Sequence, residues 1–315
     1  MCEVALHTMV IEPDGGVRLC CISDMEVGNI NTETWKDIFY GKKAEEARER
    51  IAKREDKGCI HCASYIGNSG KDLIFSEQDI KLTDLDLRID NLCNCKCKMC
   101  SEYASSRFGK RHVITKEGLE HLYEAVRDNK DYLTHYHLAG GEPMIQSLVT
   151  DFLQYTVDLG VSQNVRLSYN TNATVVDEKQ LELWKKFAYV HLDVSIDGVG
   201  EVDELIREGT KWSTVETNIK YFKNLMDTNR EYGLKGIRVH PTVSTLNIES
   251  IWKLDRWCTI NDLEVCWGNT VDNPSNLSIH SMDKRRLKEV VESNLFKATS
   301  DDFKTYMNNI LNSIA

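Results

Sequence analysis

The segment Arg88–Tyr103, RIDNLCNCKCKMCSEY, places Cys93, Cys95, Cys97 and Cys100 within eight residues, directly after the apolar run LTDLDLRI. Taken together, Cys93, Cys97 and Cys100 give the spacing C-x3-C-x2-C. A tight loop with this spacing can wrap three thiolates around a cubane iron–sulfur cluster, whereas a saturated cluster takes a fourth. One iron is then left without a protein ligand, which is the vacancy a metal centre needs to bind a reactant. Cys95 lies between these positions, and the spacing is complete without it.

Outward from the loop the chain alternates strand, loop and helix. LTDLDLRI, LTHYHLAG, NVRLSYNT, AYVHLDVSI, KGIRVHPTV and LEVCWG read as six strands. Between them, KEGLEHLYEAVRD, IQSLVTDFLQYTVDLG, DEKQLELWKKF, STVETNIKYFKNLMDTN and IESIWKLDRWCTI have helical periodicity. Strands separated by helices pair in parallel through right-handed crossovers. The expected fold is α/β, a partial (β/α)6 TIM-type barrel over about residues 80–270. Chemistry in such folds gathers at the carboxyl ends of the strands, and the cysteine loop follows the first of them.

Residues 1–75 read as a small cysteine-rich module: two extended segments around Pro13-Asp14-Gly15-Gly16, then one helix from about Thr32 to Arg54, ending near DKGCIHC. So small a unit gains little from burial and commonly depends on a metal. Residues 271–315 read as a helical extension. Eleven cysteines, an odd number concentrated in short clusters, suit metal ligation in a reducing compartment better than disulfides. The N-terminal stretch lacks the pattern of a signal peptide and no long apolar run occurs, so a cytoplasmic protein without membrane contact is expected. A net charge of −10, with 39 Lys and Arg among 49 Asp and Glu, argues against broad nucleic-acid binding.

At Cys93, Cys97 and Cys100, with Met99 before the last cysteine, the sequence resembles the radical S-adenosylmethionine (SAM) superfamily. The resemblance implies a [4Fe-4S] cluster whose open iron is chelated by SAM. It also implies reductive cleavage of SAM to a 5'-deoxyadenosyl radical that abstracts hydrogen. Gly140-Gly141-Glu142-Pro143, after the second strand, is similar to the family's GGE motif, where close backbone approach needs glycine and the segment holds the SAM amino group. Glu142 is expected to fix that turn rather than act as a base. Thr171 and Asn172 fall where relatives meet the SAM ribose. Ser195 and Arg207 fall where relatives with auxiliary clusters meet SAM, the arginine gripping its carboxylate through paired hydrogen bonds.

DGGVRLCC, VGNINTETWKDIF and CIHC resemble a twitch or SPASM auxiliary-cluster module, here ahead of the SAM domain. The resemblance nominates Cys2, Cys20, Cys59 and Cys62 as ligands of a second [4Fe-4S] cluster; strand alternation favours Cys20 over Cys21. It implies a flavodoxin- or ferredoxin-type electron donor and a peptide or small-molecule substrate, peptide being favoured over a nucleotide or cofactor precursor.

Three other readings stand beside it: an iron–sulfur electron carrier, a redox sensor, and a zinc-stabilised binding protein that uses Cys59-x2-Cys62 with Cys97-x2-Cys100. The GGEP turn and Arg207 weigh against all three, because none of them needs a grip on SAM. Cys258 and Cys266 read as packing residues. His135, His137, His191 and His240 fall in or beside strands, where roles inside the barrel are open.

Overall fold

The computed structural model describes residues 4–59, 62 and 79–314. Its first part holds α1 (Val4–His7), β1 (Thr8–Ile11), β2 (Gly16–Arg18), β3 (Gly28–Asn29), α2 (Trp35–Phe39) and α3 (Lys42–Ala52). There follow β4 (Asp84–Leu87), β5 (Lys96–Cys97), α4 (Lys116–Asp128), β6 (His135–Leu138), α5 (Ser147–Asp158), β7 (Arg166–Thr171) and α6 (Glu178–Trp184). Next come β8 (Tyr189–Val194), α7 (Glu201–Ile206), β9 (Arg207–Glu208), α8 (Trp212–Thr228), β10 (Leu234–Val239) and β11 (Thr242–Val243). The last elements are α9 (Trp252–Ile260), β12 (Glu264–Val265), β13 (Asn269–Thr270), α10 (Lys284–Lys297) and α11 (Asp301–Ile314).

The main sheet has the order β12-β10-β8-β7-β6-β4-β1-β2-β3. Its strands run parallel from β12 to β1, and β2 and β3 close one edge antiparallel. β12 and β3 do not meet, so the sheet is an open, partial barrel. The six expected strands are β4, β6, β7, β8, β10 and β12. Each gap between them carries a helix that starts on a capping signal where one is available. Thr115 accepts from Gly118 N before α4, and Asp177 accepts from Lys179 N and Gln180 N before α6.

The strands sort their side chains by alternation. Leu85, Leu87, Tyr136, Leu138, Leu167, Tyr169, Val190 and Leu192 are buried in the core beneath the helices. On the opposite, inner face the register aligns polar residues in rows across the strands: Asp84, His135, Arg166, Tyr189, and two residues further on Asp86, His137, Ser168, His191, Gly236. An ordinary barrel interior is packed with branched apolar side chains; this one is lined with imidazoles, carboxylates and guanidiniums.

Two expectations for the N-terminal part need correction. Val4–His7 is helical, not extended. The single helix expected from Thr32 to Arg54 is two, because the chain turns at Tyr40 and Gly41. There a Cβ on Gly41 would lie 2.1 Å from Asp37 O. In addition, β1 pairs in parallel with β4, so the N-terminal part adds strands to the barrel sheet. Buried Glu12 reinforces the join by pairing with both Arg18 and Arg88.

Candidate functional site

The cysteine loop leaves β4 and is bracketed by Asn91, which is fully buried. The Asn91 backbone N–H donates to His112 O, while its side chain accepts from His112 N and donates to the carbonyls of Glu102 and Tyr103. Within the loop, Ser105 Oγ donates to Cys95 O at 3.0 Å, Ser106 Oγ accepts from Cys93 N, and Cys100 N donates to Cys97 O at 3.0 Å. Cys93, Cys95, Cys97 and Cys100 are free thiols.

A second segment braces the loop. β5 and β9 form a two-residue antiparallel ladder that sets Cys97 opposite Arg207. Gly209, at φ +106°, permits it, since a Cβ there would lie 2.8 Å from Asn94 O. Arg207 Nη1 donates to Cys97 Sγ at 3.6 Å. Its Nε lies 2.8 Å from Asp197 Oδ2, a close ion pair that is not aligned as a hydrogen bond. Asp203 stands 4.0 Å away. Burial opposes the guanidinium charge, but Asp197 and the neighbouring thiols outweigh it and raise the Arg207 pKa. Burial pushes the Cys97 thiol up to about 11 and raises Cys100, whereas a hydrogen bond from Cys95 lowers Cys93.

The glycine turn packs against the same loop. Gly140 and Gly141 both have positive φ, and a Cβ on Gly141 would lie 2.2 Å from Leu92 O. Glu142 is wholly buried. Its Oε1 accepts from Met144 N at 3.1 Å and Thr171 Oγ1 at 2.8 Å, and its Oε2 accepts from Asn172 N at 2.7 Å. Burial lifts its pKa to about 7 against these three donors. Asn172 in turn donates to Asn94 Oδ1 and Cys95 Sγ.

The three elements enclose a cavity of about 380 Å³ at the carboxyl ends of the strands. Cys93, Cys97, Cys100 and Met99 line it on one side; Gly140, Gly141, Asn172, Ser195 and Arg207 line it on the others. Thr171 also reaches it, while Glu142 and Pro143 stand behind the wall. The cavity also takes in Cys95, Ser105 and Asn170, which the sequence reading passed over as site residues. Asn91 and Asp197 were missed as well, since each works through partners distant in the sequence.

In the N-terminal part, Cys20, Cys59 and Cys62 are half-buried and Cys21 is exposed; Cys2 lies outside the described residues. β2 ends at Arg18, so strand alternation does not govern Cys20 and Cys21. The Cys20 turn is held to the Cys59 segment instead. Ser23 N donates to Cys20 O, Ser23 Oγ to Asp56 Oδ2 at 2.5 Å, and Cys59 N to Asp56 O at 3.0 Å. Among the described residues no three His, Cys, Asp or Glu side chains converge on the position of a single metal ion.

Cys93, Cys97 and Cys100 beside a cavity and a buried guanidinium, with Cys95 Sγ taken up by a bond from Asn172, suit a site-differentiated iron–sulfur cluster with room for a ligand. The fold and site thus define an α/β barrel protein of the iron–sulfur type. The sequence model of the radical SAM superfamily matches residues 88–257, more than half of the chain, and that of SPASM, an iron–sulfur cluster-binding domain, matches residues 2–63. The chain belongs to the radical SAM superfamily, with the SPASM domain ahead of the SAM domain as expected. Membership implies a [4Fe-4S] cluster and SAM, and the SPASM domain implies auxiliary iron–sulfur binding.

The uncharacterised protein MJ0103 of Methanocaldococcus jannaschii is 22% identical over 254 residues, covering 79% of this chain and 55% of that protein. The chain therefore spans about half the length of the curated relative it matches. Among solved structures, native anSMEcpe with bound AdoMet is similar at TM-score 0.49 and 18% identity, over 74% of this chain and 62% of that one. Streptococcus suis SuiB bound to precursor peptide SuiA is similar at TM-score 0.46 and 17% identity, over 96% and 75%. No helix among the described residues is long and apolar enough to cross a membrane.

Proposed function

We propose that the chain reductively cleaves SAM at a cluster held by Cys93, Cys97 and Cys100 and uses the 5'-deoxyadenosyl radical to take hydrogen from a substrate. The observation that carries this reading is the meeting of three thiols, the glycine turn and Arg207 in one cavity. When bound, the cluster supplies one electron and an open coordination position. The chain's own part is to bind and orient. The Gly140-Gly141 turn brings bare backbone to the cavity wall, with Glu142 tying it to the end of β7. Arg207 offers a fixed positive charge to a carboxylate. Asn172 and Ser195 offer hydrogen bonds, and Met99, Ala104 and Ala139 give part of the wall an apolar surface that keeps water out.

Cys20, Cys59 and Cys62, with Cys2, hold a second cluster whose four thiolates leave no vacant iron, so it carries electrons or anchors the N-terminal part. A flavodoxin- or ferredoxin-type protein delivers the electron. A peptide substrate is favoured over a nucleotide or cofactor precursor, as the resemblance to radical SAM proteins with auxiliary clusters implies. The test is anaerobic reconstitution followed by SAM and a strong reductant. Protein holding roughly eight irons, for two cubanes, should release 5'-deoxyadenosine, and Cys97→Ala should abolish release while keeping roughly half the iron. Fully loaded protein that releases none, or a variant that releases as much, would refute the reading.

A further inference from the structure

Two residues along the strands from the row that borders the SAM cavity, about 7 Å deeper, lies a second chamber of about 540 Å³ on the inner face of the barrel. His135, His137, Ser168, His191 and Asp193 are among its walls. Buried polar groups are costly unless each has a partner, so the hydrogen bonds along this wall decide what it can do.

Asp84 Oδ1 lies 3.1 Å from His135 Nδ1, His135 Nε2 lies 2.7 Å from Ser168 Oγ, and Ser168 Oγ lies 3.0 Å from His137 Nδ1. Burial acts to raise the Asp84 pKa, but the bonds from His135 and Thr83 outweigh it and hold the carboxyl ionised. An ionised carboxylate only accepts, so a neutral His135 ring carries its proton on Nδ1 and presents a bare Nε2. Ser168 has one proton, which goes to that nitrogen. The Ser168 oxygen then accepts from His137 Nδ1–H. Burial keeps His137 neutral, so its Nε2 is a bare acceptor. Among the described residues this nitrogen has no protein partner, and it is not among the buried unpartnered atoms. Gly236 opens the same row, since a Cβ there would lie 2.5 Å from the His191 ring.

We propose that His137 is a general base of this chamber, wired through Ser168 and His135 to Asp84, and that the chamber takes a substrate whose reacting carbon bears an exchangeable proton on oxygen, nitrogen or sulfur. The substrate class rests on the radical reading above; the wiring does not. The substrate's X–H proton passes to His137 Nε2, the Nδ1 proton to Ser168 Oγ, and the Ser168 proton to His135 Nε2. The chain gains one positive charge, which ends on His135 against the Asp84 carboxylate, and the substrate heteroatom keeps the electron pair. His137 is the catalytic residue; Ser168, His135 and Asp84 position it. The charged and titratable groups around it are Asp86 and Arg88 from β4, His135 beside it, Arg166 from β7, His191 and Asp193 from β8, Arg238 from β10 and Glu264 from β12.

The test needs no substrate. Nitrogen-15 NMR of histidine-labelled holoenzyme with oxidised clusters should find protons on Nδ1 of both His135 and His137. In Ser168→Ala the His137 proton should move to Nε2, the tautomer a free imidazole side chain prefers. Diethyl pyrocarbonate, with exposed His280 as internal standard, should modify His137 in the wild type and do so several-fold more slowly in Ser168→Ala. A His137 proton on Nε2 in the wild type, or modification unaffected by Ser168→Ala, would overturn the proposal. Wild-type protein that releases no 5'-deoxyadenosine would count against the radical reading and leave these measurements unmoved.

Discussion

Glu142→Gln tests whether the glycine turn is held from behind the cavity wall. The carboxylate takes two bonds on Oε1 and one on Oε2, all inside the protein. Glutamine can keep the Oε1 pair, but its amide NH2 then faces the Asn172 N–H across the former 2.7 Å bond. Losing a hydrogen bond to a charged acceptor costs about 1.5–3 kcal/mol, so the variant should be about 2 kcal/mol less stable at pH 8. The pH dependence sharpens the test. The native pKa of about 7 lies above the ordinary glutamate value of 4.5, so the wild type is stabilised at low pH and loses that contribution as pH rises through 7. For these values, linkage gives on the order of 1 kcal/mol between pH 6 and pH 8. Glutamine does not titrate, so the gap should widen to about 3 kcal/mol at pH 6. Urea unfolding of anaerobic protein, followed by circular dichroism at both pH values, reads both numbers. Equal slopes with pH in the two proteins, or a variant as stable as the wild type, would refute the argument.

Gly209→Ala should strain a backbone at φ +106° and push a Cβ against Asn94 O, costing about 1–3 kcal/mol. Loosening of the ladder between Cys97 and Arg207 should appear as weaker SAM binding in equilibrium dialysis. Arg207→Ala should weaken SAM binding by about 1.5–3 kcal/mol and, by leaving buried Asp197 unpaired, lower the thermal midpoint as well; an unchanged dissociation constant would return Arg207 to a purely structural role. Ser23→Ala should remove the bond to Asp56 that joins the Cys20 turn to the Cys59 segment. Made in a Cys97→Ala background, it should lose auxiliary iron faster to a chelator than that background alone.

Most of the local structure was legible in the chain itself, but not the helix at Val4–His7 or the break at Gly41. Six strands, the α4 helix over Lys116–Asp128 and the two C-terminal helices follow from period-2 and period-3.6 placement of apolar residues. The C-x3-C-x2-C loop was legible as a set of thiolate ligands, with zinc and iron–sulfur both open until the GGEP turn and Arg207 were read beside it. What sequence periodicity does not encode is which distant segment lies alongside which, because that depends on crossover geometry and on packing summed over the whole core. Hence Arg207 could be nominated as a SAM contact, yet its place opposite Cys97 emerged only from the β5–β9 ladder. Likewise Glu142 read as part of a turn, and only burial and three converging donors showed it to be the tie between two strand ends. The four histidines were visible as strand residues. Tertiary register alone set His135 and His137 around Ser168, because a one-residue shift in any strand would have turned that row toward the helices.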